Sequence, residues 1–399
     1  MNYLTTTQKN NVLASMIKIL DARRKDILAA NRLDLDRFGR GDRALYDRLI
    51  VDDHKIDGMI SAVQTVLAQP DPVGQTRSSR TLSNGLRIEN RTAPFGTILI
   101  IYESRPDVTI EAAVLAFKAS NKILLKGGKE AVNSNRVLVD CWHEALKENG
   151  LETAWIQLFT LDRHATQDFL RNPSQPVDLI VPRGGEQLIA FVKEHAQCAV
   201  LVSGRGNNFA YVAPDADWEQ AVRVIVNSKT DKISACNALD NVLIDRDIPG
   251  LSDKLRELES RLRDHDVELF ATEELLLQLD TATPIPDESI WYEEFLAPKI
   301  CLGLVNDLTE AITMINRYSG GHSSTILTAD EQLAHHFMER VDSAAVYHNA
   351  STRFTDGCQM GVGAELAIST DKLHHRGPLG LEQLVSNKYY VYGNGHIRV

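Results

Sequence analysis

Long apolar runs are missing from this sequence. The most apolar stretches, such as Ile98-Leu99-Ile100-Ile101, are strand-sized. None approaches the ~18–20 residues needed to span a bilayer, so no membrane association is expected. The opening MNYLTTTQKNN has no basic segment followed by an apolar one, and no signal peptide is expected there. Cysteine is sparse: Cys141, Cys198, Cys236, Cys301 and Cys358 are odd in number, widely spaced and form no C-x-x-C. That argues against a disulfide framework or a structural zinc site and points to a reduced, cytoplasmic protein. His335-His336 and His374-His375 are adjacent pairs that match no zinc spacing, so no metal is expected. The common nucleotide fingerprints are absent too. Gly204-Arg205-Gly206-Asn207-Asn208-Phe209 lacks the third glycine of G-x-G-x-x-G, and Lys126-Gly127-Gly128-Lys129 lacks the P-loop spacing. Positive charge is not in excess. Lys and Arg number 43 against 54 Asp and Glu, a net −11. A nucleic-acid coat or an anionic membrane surface is therefore a poor partner, although a local cluster of cations can still hold a small anion.

What is present is an ordinary globular composition. The 399 residues are 43% apolar and 24% charged, enough for two or three domains of roughly 150 residues. Residues 11–31 read as one amphipathic helix, with Val12, Met16, Ile19, Leu20 and Ile27 near a 3.6-residue period. A second helix is expected near 56–68, ended by Gln69-Pro70. Residues 82–91 carry a Ser-Asn-Gly turn and read as an exposed hairpin. Strands are then expected at 97–102, 122–126, 155–160, 177–181 and 198–202, alternating with helices. This rhythm predicts a parallel, doubly wound α/β sheet. Gly127-Gly128 and Gly184-Gly185 stand at strand-to-helix turns, where helix N–H groups can meet phosphate. A second α/β run follows 231, with strands near 239–244, 300–305 and 343–348. The tail 388–399 reads as a strand, a turn and a strand end, which calls for a pairing partner in the hairpin or in another subunit.

Three segments carry chemistry. Residues 227–240 place Cys236 in a polar stretch with Lys229 and Lys232 upstream; a thiol near cations or a helix N-terminus becomes a thiolate nucleophile, although free cysteines more often only pack. Tyr102-Glu103-Ser104-Arg105-Pro106 leaves a strand and enters a helix, where ligand groups converge in open α/β sheets. Residues 349–357 crowd hydrogen-bond donors around Arg353 and suit a carboxylate or phosphate, with a plain polar loop as the alternative.

Together these segments resemble the gamma-glutamyl phosphate reductases of the aldehyde dehydrogenase superfamily, from about residue 10 to 399. The most specific pieces are the 101–106, 125–130, 181–185 and 226–230 segments, Cys236-Asn237, and the 349–357, 373–378 and 392–395 segments. The resemblance implies an aldehyde dehydrogenase-like α/β fold: a Rossmann-type NADPH-binding domain over 1–231, a catalytic α/β domain over 232–365, and a small β oligomerisation flap. Hairpin 82–95 joins that flap, and 366–399 returns to the cofactor domain and supplies the oligomerisation strand. It implies NADPH-dependent reduction of L-glutamyl 5-phosphate to L-glutamate 5-semialdehyde, with release of phosphate, in proline biosynthesis. The family's nucleophile falls on Cys236. The oxyanion donors fall on the Cys236 N–H and on Asn237 or Ser104. Lys126 falls near the adenosine ribose, Glu294 on the nicotinamide ribose, and Gly184 and Gly185 near the pyrophosphate or nicotinamide. The substrate's anionic groups need cations, for which Arg105, Arg183, Lys229 and Arg353 are the candidates, with Asn349 and Thr352 beside them.

Hydrolytic relatives carry a glutamate before a glycine pair to activate water. The corresponding 201–204 stretch, Leu-Val-Ser-Gly, has no carboxylate, which suits an acyl-phosphate reductase. A CoA-acylating or other phosphorylating aldehyde dehydrogenase is the competing enzyme reading, and a silent scaffold on the same fold is the non-enzyme one. A homo-oligomer, dimer or tetramer, is expected. Because acyl phosphates are labile, transient contact with a separate glutamate 5-kinase is also expected.

Overall fold

The computed structural model describes residues 3–39 and 43–398. They form two compact units: 1–202, 361–367 and 379–399 in the first, 203–360 and 368–378 in the second. The break at 202/203 lies upstream of the expected boundary at 231. The reason is strand pairing: Asn208–Val212 pairs with Leu239–Asp245 and with Ser323–Leu327, which places it and the following helix Trp218–Thr230 in the second unit. The tail divides differently as well, because 368–378 belongs to the second unit. There Arg376 and Lys372 both grip the Asp342 carboxylate, at 2.7 and 2.8 Å.

The first unit is built on a parallel sheet in the order Ile156–Leu158, Lys122–Lys126, Thr97–Tyr102, Leu179–Arg183, Ala199–Val200. All six residues of Thr97–Tyr102 are buried, as a parallel strand covered on both faces requires. Ile98, Ile100 and Tyr102 pack with the layer containing helices Thr6–Ala22, Val108–Lys118 and Val132–Glu148, while Leu99 and Ile101 join Phe169, Leu170 and Val192 on the other face. From Thr97–Tyr102 the chain builds outward in one direction and then crosses to the other side. The switch point therefore lies between Thr97–Tyr102 and Leu179–Arg183, with Tyr102 opposite Arg183. Ligands of doubly wound sheets bind beyond the strand ends at such a point.

The helix expected over 11–31 is in fact two, Thr6–Ala22 and Arg24–Phe38. Arg23 leaves the helical region (φ −97°, ψ 15°), with no glycine or proline to announce it. The predicted apolar stripe is buried all the same. The hairpin is Thr76–Thr81 with Arg87–Pro94, and the tail strand Val385–Tyr392 pairs antiparallel with Arg87–Pro94 in the same chain. No second strand follows it within 393–398.

The second unit's sheet runs Thr283–Pro284, Glu268–Ala271, Lys299–Val305, Leu239–Asp245, Asn208–Val212, Ser323–Leu327, Ala345–His348, all neighbours parallel. Ser323–Leu327 escaped the sequence reading because it opens Ser-Ser-Thr. Those residues are buried and satisfied by hydroxyl bonds, Ser324 to Ser343 at 2.9 Å and Ser323 to Thr355 at 2.7 Å. Among the described residues no helix is long and apolar enough to cross a membrane, and no three His, Cys, Asp or Glu side chains converge as metal ligands.

Candidate active site

In the first unit a cavity of about 860 Å³ opens at the C-terminal ends of Thr97–Tyr102, Lys122–Lys126 and Ile156–Leu158. Its walls mix apolar side chains (Leu158, Phe159, Leu188, Phe191) with Lys126 and Ser104. Burial pushes the Lys126 ammonium below its usual range, against the pull of Glu130, Glu103 and Asp162. The volume and the lining suit a nucleotide. Ser104 is buried at φ +43°, and both its N–H and its hydroxyl donate to Glu130 Oε1, at 2.7 and 2.9 Å. Its hydroxyl is thus spent inside the unit. Gly127 and Gly128 line this cavity, but the helix N–H groups beyond them are partly taken. Asp34 accepts from the N–H groups of Asn133 and Ser134 at 3.1 and 2.7 Å, so the chain's own carboxylate already caps Val132–Glu148. Gly184 and Gly185 precede helix Glu186–His195, which lends Gln187, Leu188 and Phe191 to the cavity, but the two glycines are not among its lining. A Cβ on Gly184 would come within 2.6 Å of Glu103 Oε2.

In the second unit Cys236 is exposed, on the loop between Trp218–Thr230 and Leu239–Asp245. The loop is held from below. The buried Asn208 amide donates to the carbonyls of Gly206, Cys236 and Ala238 at 2.5, 2.9 and 2.6 Å. Asn207 donates to the carbonyls of Trp291 and Tyr318 and accepts from Gly320 N–H. Gly206 has no room for a side chain, since a Cβ there would strike the Cys236 carbonyl and lie 2.7 Å from Glu294 Oε1. The structure thus brings Glu294 and the Cys236 loop to the same glycine. Of the five thiols, Cys141 and Cys301 are buried and burial pushes both up, Cys141 to about 12; Cys198 is also raised by burial.

Most other residues assigned to this site turn out to be framework. Lys229 is fully buried and donates to Asp240 at 2.7 Å, so it does not reach a substrate. Thr352 is buried and its hydroxyl donates to the Asn237 carbonyl. The Asn237 amide donates to the carbonyls of Arg353 and Thr355, which removes it as an oxyanion donor. Asn349, at φ +54°, donates to the Thr328 carbonyl and accepts from Thr328 N–H. For Thr352, Asn237 and Asn349 the physical reason is the same: buried loop backbone must be satisfied, and nearby polar side chains do it, whereas Lys229 answers the buried Asp240 carboxylate. Arg353 alone among these substrate candidates stays partly open, with Nε on Asp231 at 3.0 Å. Asn207, Asn208 and Gly206 were missed. Their one signal was the Gly-x-Gly-Asn-Asn segment, read only as a failed fingerprint.

The sequence pattern of the aldehyde dehydrogenase family matches residues 3–266 and 281–364. The chain belongs to that family. Within it, the chain is 42% identical over 397 residues to a gamma-glutamyl phosphate reductase of Thermotoga sp. strain RQ2, covering 99% of this chain and 95% of the relative. A gamma-glutamyl phosphate reductase of Streptococcus suis is 40% identical over 399 residues, covering 100% and 96%. The crystal structure of the Thermotoga maritima gamma-glutamyl phosphate reductase superposes with a TM-score of 0.95 at 41% identity, covering 99% of this chain and 95% of that one. A more remote family member, an acetylating aldehyde dehydrogenase of Geobacillus thermoglucosidasius, shares the fold at a TM-score of 0.70 and 17% identity, covering 99% and 94%.

Proposed function

We propose that the chain reduces L-glutamyl 5-phosphate to L-glutamate 5-semialdehyde, releasing phosphate, as a step of proline biosynthesis. We assign the cofactor to the first unit and the acyl chemistry to the second. The observation that carries this reading is the exposed Cys236 thiol on a loop braced by Asn208, with Glu294 at the same glycine. The names of the relatives supply the substrate.

The Cys236 thiolate attacks the acyl carbon, the carbon–oxygen bond to phosphate breaks, and the acyl group is left as a thioester on sulfur. The Cys236 N–H supports the oxyanion, a contribution of about 3–4 kcal/mol where such donors have been removed. The cofactor, NADPH, supplies a hydride when bound. Collapse of the resulting hemithioacetal returns the thiolate and frees the aldehyde. Lys126 and the apolar cavity walls of the first unit would hold the nucleotide's adenosine end. In the second unit, with Cys236, Arg353 is the cation we assign to an anionic end of the substrate. The 201–204 stretch offers no carboxylate to activate water, so phosphate outcompetes water at the thioester in the reverse direction.

The test is NADP-dependent oxidation of glutamate semialdehyde with and without phosphate. Activity should require phosphate, and Cys236→Ala should lose at least about 1,000-fold in kcat. Near-normal turnover in Cys236→Ala, or replacement of phosphate by CoA, would overturn the reading.

A further inference from the structure

The rim of the nucleotide cavity in the first unit carries cations that the protein itself does not answer. Lys126, Lys129 and Arg163 all line it. Among the described residues, none of these three side chains makes an ion pair or a hydrogen bond. The acids of the cavity are Glu103, Glu130 and Asp162, and two of them are already engaged. Glu130 accepts from Ser104, and Asp162 accepts from Ala165 N–H at 2.8 Å as the cap of helix Arg163–Arg171. In a chain of net charge −11, such a rim marks a place for a ligand of high negative charge.

Of the three cations, Arg163 is the one held in place. It is exposed, it opens its helix, and its Cζ lies 5.6 Å from the centroid of the Phe191 ring, within the range of cation–π attraction. Phe191 is braced in turn. The buried His195 ring lies 4.7 Å from it, and His195 Nδ1 donates to the Phe191 carbonyl at 2.7 Å. The Gln167 amide, on the helix of Arg163, donates to His195 Nε2 at 2.5 Å. The guanidinium thus lies against a fixed ring with its donor fork unspent. Lys129 is exposed and has no such support, and the same is true of Arg37 across the cavity lining. Lys126 ends strand Lys122–Lys126 and is half-buried, and burial lowers its ammonium. The Asp162 charge acts on Lys126, which puts the start of the Arg163 helix and the end of that strand at one side of the cavity.

A phosphomonoester on a ribose carries about −1.5 to −2 charges near pH 7. Such a group binds at least cost where it keeps part of its water, at an exposed rim and not beside a half-buried amine. A planar guanidinium meets it with two parallel N–H bonds and stays charged at every working pH. We propose that Arg163, fixed over Phe191, binds the 2′-phosphate of the nucleotide and sets the preference for the phosphorylated over the unphosphorylated nicotinamide dinucleotide, with Lys129 adding charge beside it. This rests on the cofactor placement given above and names the residue that makes the choice. Lys126, on the adenosine side of the same cavity, then serves both nucleotides alike.

Calorimetric binding of adenosine 2′,5′-bisphosphate and of 5′-AMP to the full chain reads this site without turnover. The wild type should bind the bisphosphate about 30- to 100-fold more tightly. Arg163→Gln should cut that ratio by about 10- to 30-fold, while 5′-AMP binding moves by less than about threefold. Arg163→Lys should recover only part of the ratio, since a point charge replaces the fork. Lys126→Met should weaken both nucleotides and hold the ratio. In turnover, the NADPH-to-NADH ratio of kcat/KM should fall in step with the binding ratio in the Arg163 variants. Equal binding of the two nucleotides by the wild type, a ratio that survives Arg163→Gln, or a ratio that collapses in Lys126→Met instead, overturns the proposal. A protein that discriminates the nucleotides through Arg163 yet leaves glutamate semialdehyde unoxidised would condemn the proposed reaction and leave this assignment standing.

Discussion

The strand exit of the first unit and the cysteine loop of the second are built on opposite plans. Around Cys236 nearly every polar side chain is consumed by the protein: Asn208 by three carbonyls, Asn237 by two, Thr352 by one, Lys229 by Asp240. The framework leaves one thiol outward. At the strand exit, by contrast, Asp107 keeps one buried oxygen without a donor. In the cysteine loop, internal bonding fixes the backbone that carries the thiol. The strand exit instead leaves a buried carboxylate oxygen without a donor, which costs stability.

Three changes test that contrast. The largest effect belongs to Lys229→Met, which strands Asp240 in the second unit's interior. Breaking a buried pair by deleting one member costs about 3–5 kcal/mol, to be read by chemical denaturation. A loss below about 1 kcal/mol would show that the pair is not part of the framework. Next comes His322, buried beside Ser323, whose hydroxyl bonds Thr355. Burial depresses the His322 imidazole from 6.5 to about 4. The folded protein keeps it neutral while an unfolded chain takes up a proton below about pH 6.5. Stability from this group is full above that pH and drains as pH falls to about 4, by about 3 kcal/mol. His322→Gln should lose that acid sensitivity, so the difference in unfolding free energy between variant and wild type should change with pH across this window. A constant difference would sink the assignment. The smallest effect is expected at the strand exit. Asp107→Asn removes a charge that no protein donor fully answers, and unfolding free energy should move by less than about 1 kcal/mol. A loss as large as that of Lys229→Met would make Asp107 framework after all.

Much of the fold was legible in the sequence. Thr97–Tyr102 and Lys122–Lys126 have the bounds expected of them, because an apolar run between turn signals leaves few alternatives. Ser323–Leu327 was not legible, since its hydroxyls find partners far along the chain, Ser323 with Thr355 and Ser324 with Ser343. The break at Arg23 was hidden for want of punctuation. At the site, the sequence marked Cys236, the strand exit and Arg353 as places of interest. It did not distinguish a polar side chain offered to a ligand from one used up at home. Asn237 and Thr355 are 118 residues apart, and only folding reveals that one spends its amide on the other.

The division of the tail limits how this protein can be shortened. Residues 368–378 belong to the second unit although 361–367 and 379–399 belong to the first, so neither unit is one uninterrupted piece of the gene. A fragment stopped at 360 would deprive Asp342 of both Lys372 and Arg376. Expressing either half alone would need a rejoined chain, not a simple cut.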